Sequence, residues 1–127
     1  MFVADDDSKA REYVMGSKSP YRLYYNNLLA KLKTAGRLDA FKTSREQPDA
    51  AVTVDGLIDK LVIWGSPRKV ADELLAFREE IGDFGTLLYA GKDWLAPDLG
   101  RRSMVLMAEK VMPTVNAAIA RSKKAAE

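Results

Sequence analysis

Apolar and polar positions alternate along this chain in short, clearly punctuated periods. Phe2-Val3-Ala4 is apolar throughout and gives way at once to Asp5-Asp6-Asp7. That reads as the end of a buried strand followed by a helix over Ser8 to Met15. Carboxylates at a helix start satisfy free backbone N–H groups and oppose the macrodipole favourably. A metal site is the competing reading of the three aspartates, and no partner ligand elsewhere supports it. Ser19-Pro20 then spells an N-cap followed by proline at the first helical position. Tyr21, Tyr25, Leu28 and Leu32 recur on one face, widened by Tyr24 and Leu29, until Gly36 ends the helix. The tyrosines could stack on a flat ligand, but core packing with hydroxyls at the rim is the preferred reading. A turn around Leu38 and Phe41 and a polar loop over Thr43 to Asp49 follow, the loop being the expected flexible point.

From Thr53, the stripe Val54, Leu57, Ile58, Leu61 and Val62 predicts a helix. Gly65 ends it, Ser66 caps the next one, and Pro67 lies in that helix's first turn. The second helix is expected to bury Val70, Leu74, Phe77 and Ile81 and to stop at Gly82. Phe84 to Tyr89 is a short continuous apolar run, which predicts a parallel strand buried on both faces. A Pro97-containing loop leads to a long helix from about Leu99. Its expected buried face is Met104, Ala108, Val111 and Val115, joined by Met107 and Met112, and Pro113 either kinks or restarts it. Without the inserted helical segment the order is βαβα, the pattern of a parallel sheet with helical crossovers. Two such strands lack the neighbours that a doubly buried parallel sheet needs.

Composition narrows the chemistry. The chain has 127 residues, 47% of them hydrophobic, with neither cysteine nor histidine. Disulfides, thiolate nucleophiles and cysteine–zinc sites are excluded, and so is the commonest general base near neutral pH. Lys plus Arg number 20 against 18 Asp plus Glu, a balance too even to predict a nucleic-acid partner. No apolar run approaches the ~20 residues of a membrane span. The acidic start is unlike a signal peptide, so a cytoplasmic location is expected. Asp83-Phe84-Gly85 matches a kinase tripeptide, but neither the histidine of the catalytic loop nor a glycine-rich loop accompanies it. Arg101-Arg102-Ser103 sits at a helix start, where either an anionic ligand or salt bridges to Asp98 or Asp93 would suit it.

Taken in order, several segments resemble the C-terminal part of bacterial-luciferase-like flavin monooxygenases. They are Val52-Thr53-Val54-Asp55, Leu57-Ile58-Asp59, Val62-Ile63-Trp64-Gly65-Ser66-Pro67, Val70-Ala71 and Phe84-Gly85-Thr86-Leu87-Leu88-Tyr89. Asp93-Trp94, Arg102-Ser103-Met104, Ala108-Glu109 and Val111-Met112-Pro113 continue the match. Phe2-Val3-Ala4-Asp5 is similar to the segment that the family places at its seventh barrel strand. The resemblance implies an α/β fold: a C-terminal fragment of a TIM (β/α)8 barrel, about strand 7 to helix 8, helix-rich with two short parallel strands. A whole barrel takes about 250 residues. One partial domain is therefore expected: residues 1–16 strand and helix, 17–50 an inserted helical segment, 51–127 helix 7, strand 8 and helix 8.

The function the resemblance implies is oxidation of a small organic substrate with O2 and reduced FMN (a deazaflavin in some relatives). The isolated chain is expected to be inactive and not to hold FMN, because most phosphate contacts of the family lie in earlier strands. Tyr89, Asp93 and Trp94 lie at or just past the end of the second predicted strand, on the face where TIM-barrel sites are built. They are the expected cofactor-binding residues: Trp94 as a wall of the pocket, Asp93 orienting a neighbour. No catalytic or metal-binding residue is assigned. Gly91-Lys92-Asp93-Trp94 stands where the family's Gly-His-Asp-Trp is expected, so a proton-transfer role is not carried over. Exposed strand edges call for a partner, either a second copy or a missing N-terminal barrel half. Alternatively, the helices from Pro20 and Leu99 fold over the strand at 84–89. A non-catalytic helical interaction module derived from the family is the competing function.

Overall fold

The structure, a computed structural model, describes residues 1–92 and 95–126. Its organising element is a short strand, β1 (Phe2–Val3), whose side chains alternate between two hydrophobic clusters. Strand geometry sends successive side chains to opposite faces. Phe2 and Ala4 enter one cluster, with Ala10, Val14, Tyr21, Ile58, Val62 and Trp64. Val3 enters the other, with Val70, Ala71, Leu74, Leu106, Met107, Val111 and Val115.

The first cluster is built by three capped helices. Helix α1 (Asp7–Met15) starts at Asp6, whose carboxylate accepts from the Lys9 N–H at 2.8 Å. Helix α2 (Pro20–Thr34) starts at Ser19, whose hydroxyl accepts from the N–H groups of Tyr21 and Arg22. Gly36, with φ 65°, follows its end. Of the predicted apolar face only Tyr21 is buried, while Tyr25, Leu28 and Leu32 are half-covered. Helix α3 (Val54–Leu61) is capped by Thr53, which accepts from the Gly56 N–H at 3.1 Å. It turns Leu57 and Ile58 inward and leaves Leu61 exposed.

The second strand is not where the apolar periodicity predicts it. Trp64–Gly65 forms β2, parallel to β1, with Phe2 opposite Trp64 and Val3 opposite Gly65. The sequence reads there as helix end and helix start, because Gly-Ser-Pro is both a terminator and a cap. Two residues suffice for the pairing: the N–H groups of Phe2 and Ala4 donate to the carbonyls of Ile63 and Gly65 at 2.9 and 3.0 Å. Conversely, residues 84–89 form no strand, and Phe84 and Leu88 are 40% and 81% exposed. A continuous apolar run becomes a doubly buried strand only between neighbours, and no ladder reaches this one.

The second cluster is built by α4 (Pro67–Ile81), α5 (Pro97–Leu106) and α6 (Met112–Ala126), with the π-helical turn Met107–Val111 joining the last two. Ser66 caps α4, and Gly82 at φ 88° ends it. Val70 and Leu74 are buried as expected, but Phe77 and Ile81 are 43% and 54% exposed. The π turn shifts the phase of the long helix, so Ser103, Met107, Val111 and Val115 face the core, while Met104 and Ala108 do not. Pro113 follows directly, so its missing N–H falls where the regular ladder is already offset. The helix that begins at Pro97 packs on β1, where the Ser103 hydroxyl accepts from the Val3 N–H at 2.8 Å. Of residues 84–89, Leu87 and Tyr89 pack against the cluster to which that helix contributes, while Phe84 and Leu88 stay exposed.

Candidate functional site

A cleft of about 680 Å3 opens beyond the C-terminal end of β1. That volume is typical of a small-molecule site. Its floor is Phe2, Val3 and Ala4, one wall is Tyr13 on α1, and the opposite wall is Leu95, Ala96 and Leu99 at the start of α5. Strand register places the floor, since the chain leaves the sheet at Ala4 and diverges into α1. The rings of Phe2 and Tyr13 stack with centroids 4.2 Å apart and planes 18° from parallel, giving the cleft a flat aromatic side. Leu95 and Leu99, 57% and 47% exposed, leave apolar surface open to a ligand.

The rim is charged. Arg102 on α5 grips Asp5 just past β1: its Nη2 donates to Oδ1 at 2.6 Å and its Nε donates to the same oxygen at 3.2 Å. The hydrogen bond to Arg102 holds the Asp5 carboxyl below its usual range and, reciprocally, raises the Arg102 guanidinium. Both side chains are about half exposed, so the pair orients the rim more than it stabilises the fold. Lys9, Glu12 and Lys18 complete the charged ring, three cations facing two carboxylates in all. The neighbouring Asp7 serves elsewhere: its carboxylate accepts from the Ser66 N–H at 2.7 Å, and that bond holds its pKa below the ordinary value. The three aspartates at the chain start thus have separate partners: Arg102, the α1 N-terminus, and Ser66, the N-cap of α4.

Of the residues predicted to touch a cofactor, Tyr89 is half-buried against the second cluster, and its hydroxyl bonds to Ser103 Oγ at 2.5 Å. It is not part of the cleft lining. Asp93 and Trp94 lie outside the described residues. Lys92, in the place of the family's histidine, sets its ammonium 3.9 Å from the centre of the Tyr24 ring, and its carbonyl accepts from the Tyr13 hydroxyl at 2.9 Å. Sequence reasoning singled out Arg102 but offered Asp98 or Asp93 as its partner. Asp5, 97 positions away, could not be found from local spacing. Tyr13 carried no signal beyond its place on a helix.

For a flavin, the apolar and aromatic half of this cleft fits one side of a planar ring system. A phosphate is less well served. The α2 N-terminus that borders the cleft already spends two of its N–H groups on Ser19, and Arg102 is committed to Asp5. Among the described residues no glycine-rich anion cradle is present.

The helix-rich fold with two short parallel strands matches about a third of a luciferase-like (β/α)8-barrel enzyme, as a fragment of such a barrel would. The chain is similar in structure to a type II Baeyer-Villiger monooxygenase, the oxygenating constituent of 3,6-diketocamphane monooxygenase from the CAM plasmid of Pseudomonas putida, solved in complex with FMN. The TM-score is 0.71 at 25% sequence identity, over 90% of this chain and 31% of that one. The chain therefore spans about a third of the length of the protein it matches. No protein-family model and no curated protein matches the sequence.

Proposed function

We propose that this chain supplies one wall of the active cleft in an FMN-dependent luciferase-like monooxygenase that oxidises a small organic substrate with O2 in the cytoplasm. The observation that carries this reading is the apolar, aromatic cleft at the C-terminal end of β1, in a fold similar to that of an FMN-complexed monooxygenase. Bound flavin would supply the redox chemistry and the activation of dioxygen. Phe2, Tyr13 and Leu99 would exclude water from one side of the ring system, and Asp5 with Arg102 would fix the polar rim. Trp94 remains the proposed wall of the flavin or substrate pocket, Asp93 the residue that orients a neighbour, and Tyr89 the third proposed cofactor-binding residue. Because the described residues offer no phosphate cradle, the chain alone is expected neither to hold FMN nor to turn over. It would act with the rest of a barrel, from an N-terminal half or a second copy.

The test is a fluorescence titration of FMN with the 127-residue chain, followed by an assay with reduced FMN, O2 and small ketones or aldehydes. The expected result is neither saturable quenching nor product above the flavin-only background. Saturable micromolar binding would overturn the assignment of an incomplete flavin site.

One observation favours a second reading, a non-catalytic interaction module. Phe77, Ile81, Phe84 and Leu88 form a run of exposed apolar side chains, with the Phe77 and Phe84 rings 6.3 Å apart. Surface of that kind is commonly covered by a partner.

A further inference from the structure

The turn that joins α1 to α2 at the cleft mouth separates its hydrogen-bond donors from its acceptors. Gly16, Ser17, Lys18 and Ser19 all line the cleft. The Ser19 N–H closes the turn on the Gly16 carbonyl at 3.0 Å. The carbonyls that lead into it are taken. Ser19 Oγ donates to the Val14 carbonyl, Arg22 Nη2 donates to that of Met15 at 2.8 Å, and Arg22 Nε donates to that of Gly16 at 3.3 Å. Asp55 holds the same guanidinium at 2.6 Å, which ties the turn to α3. The donors are left over. Among the described residues the N–H groups of Ser17 and Lys18 meet no acceptor in the protein, and the Lys18 ammonium joins no ion pair. Both residues are exposed, so these donors stand open at the rim of an otherwise apolar cleft.

We propose that this corner binds the carboxylate of an apolar monocarboxylic acid whose body lies on the apolar lining of the cleft. Two adjacent N–H groups, the Ser17 hydroxyl and the Lys18 ammonium form a donor set suited to two carboxylate oxygens, and bonds to an ionised acceptor are the stronger class. The α2 N-terminus contributes none of them, since its first N–H groups are spent on Ser19. Arg22 acts as a positioning residue: by taking the turn's carbonyls it leaves only donors facing the ligand. Leu95 and Leu99, both exposed, select an apolar body. The charge count selects a single negative charge. Arg102 is bound to Asp5, and Lys9 stands 3.7 Å from Asp6, so Lys18 is the one uncommitted cation of the lining among the described residues. A phosphate dianion would need a second cation, and Glu12, also in the lining, opposes further negative charge. In the enzyme of the proposed function such an acid would be the substrate. Only that assignment rests on the flavin reading; the carboxylate corner stands on the turn itself.

Amide NMR of the isotope-labelled chain tests it, with adamantanecarboxylate as the probe and adamantylmethanol as its neutral counterpart of similar size. The acid is expected to bind about tenfold more tightly than the alcohol, and its largest shifts should fall on the Ser17 and Lys18 amides. Lys18→Gln should reduce that preference to about twofold and leave the affinity for the alcohol unchanged. Lys60→Gln removes the same charge from an exposed position on α3 and should leave the preference intact. Neither lysine joins an ion pair among the described residues, so both variants keep the contacts of the fold. Equal affinities for acid and alcohol, no saturation by the acid, or unmoved amides at Ser17 and Lys18 would each overturn the proposal. So would a preference that Lys60→Gln lowers as far as Lys18→Gln does. The measurement contains no flavin, so failure of the flavin reading leaves its result standing.

Discussion

Ile58 offers the sharpest test of how the two halves of the first cluster are joined. It is fully buried on α3, in one cluster with Phe2 of β1 and Trp64 of β2. Ile58→Ala removes three carbon atoms, worth about 2.4 kcal/mol in transfer free energy at ~0.8 kcal/mol each. The surrounding rings of Phe2, Tyr21 and Trp64 cannot fully collapse into the space, so a cavity penalty adds to this. The total should be about 3–4 kcal/mol. Leu61→Ala on the same helix is the control. That side chain is 47% exposed, and its loss should cost less than about 1 kcal/mol. Urea unfolding followed by far-ultraviolet circular dichroism measures both, with the slope of the transition unchanged if the comparison is sound. A cost below about 1 kcal/mol at Ile58, or equal costs at the two positions, would refute the packing of α3 against the strand pair.

Two further outcomes follow from single residues. Gly65 has φ 149°, and a Cβ there would lie 2.7 Å from Lys69 Cδ and 3.0 Å from Asp7 Oδ1. Gly65→Ala should therefore cost roughly 2 kcal/mol or more by thermal melting, and an unchanged melting temperature would contradict the backbone at β2. Asp7 has its pKa lowered by the Ser66 N–H, so the stability it contributes is fully present above its unfolded value of about 3.9 and lost as pH falls through the lower, folded value. Asp7→Asn should flatten the acid limb of the stability profile below about pH 4, and an identical acid limb would show that the bond contributes nothing.

The helices were legible in the sequence because their punctuation is local. Ser19-Pro20, Thr53 and Ser66-Pro67 each place a hydroxyl acceptor directly before free N–H groups; Ser19 and Ser66 cap as predicted, and Thr53 caps α3 as well. The strands were less legible. β2 is two residues long and lies in a sequence that spells a helix boundary. The apolar run at 84–89 lacks the neighbours that would make it a strand. The phase of the last helix was misjudged because a π turn at 107–111 inserts an offset that no 3.6-residue period anticipates. The cleft itself depends on pairs such as Asp5–Arg102 and Phe2–Tyr13, which the topology brings together and no local pattern announces. The family resemblance placed the candidate site at strand ends and named Tyr89, whose hydroxyl bonds to Ser103.

The central claim is that this chain is a working wall of a flavin cleft once the rest of a barrel surrounds it. A chimera tests it most directly: the matched 31% of the oxygenating constituent of 3,6-diketocamphane monooxygenase is replaced by this chain, and FMN is titrated against the product. The account predicts saturable quenching of flavin fluorescence in the micromolar range, absent from the isolated chain. A chimera that melts cooperatively yet leaves the flavin unquenched would contradict it, as would one that does not fold around the graft.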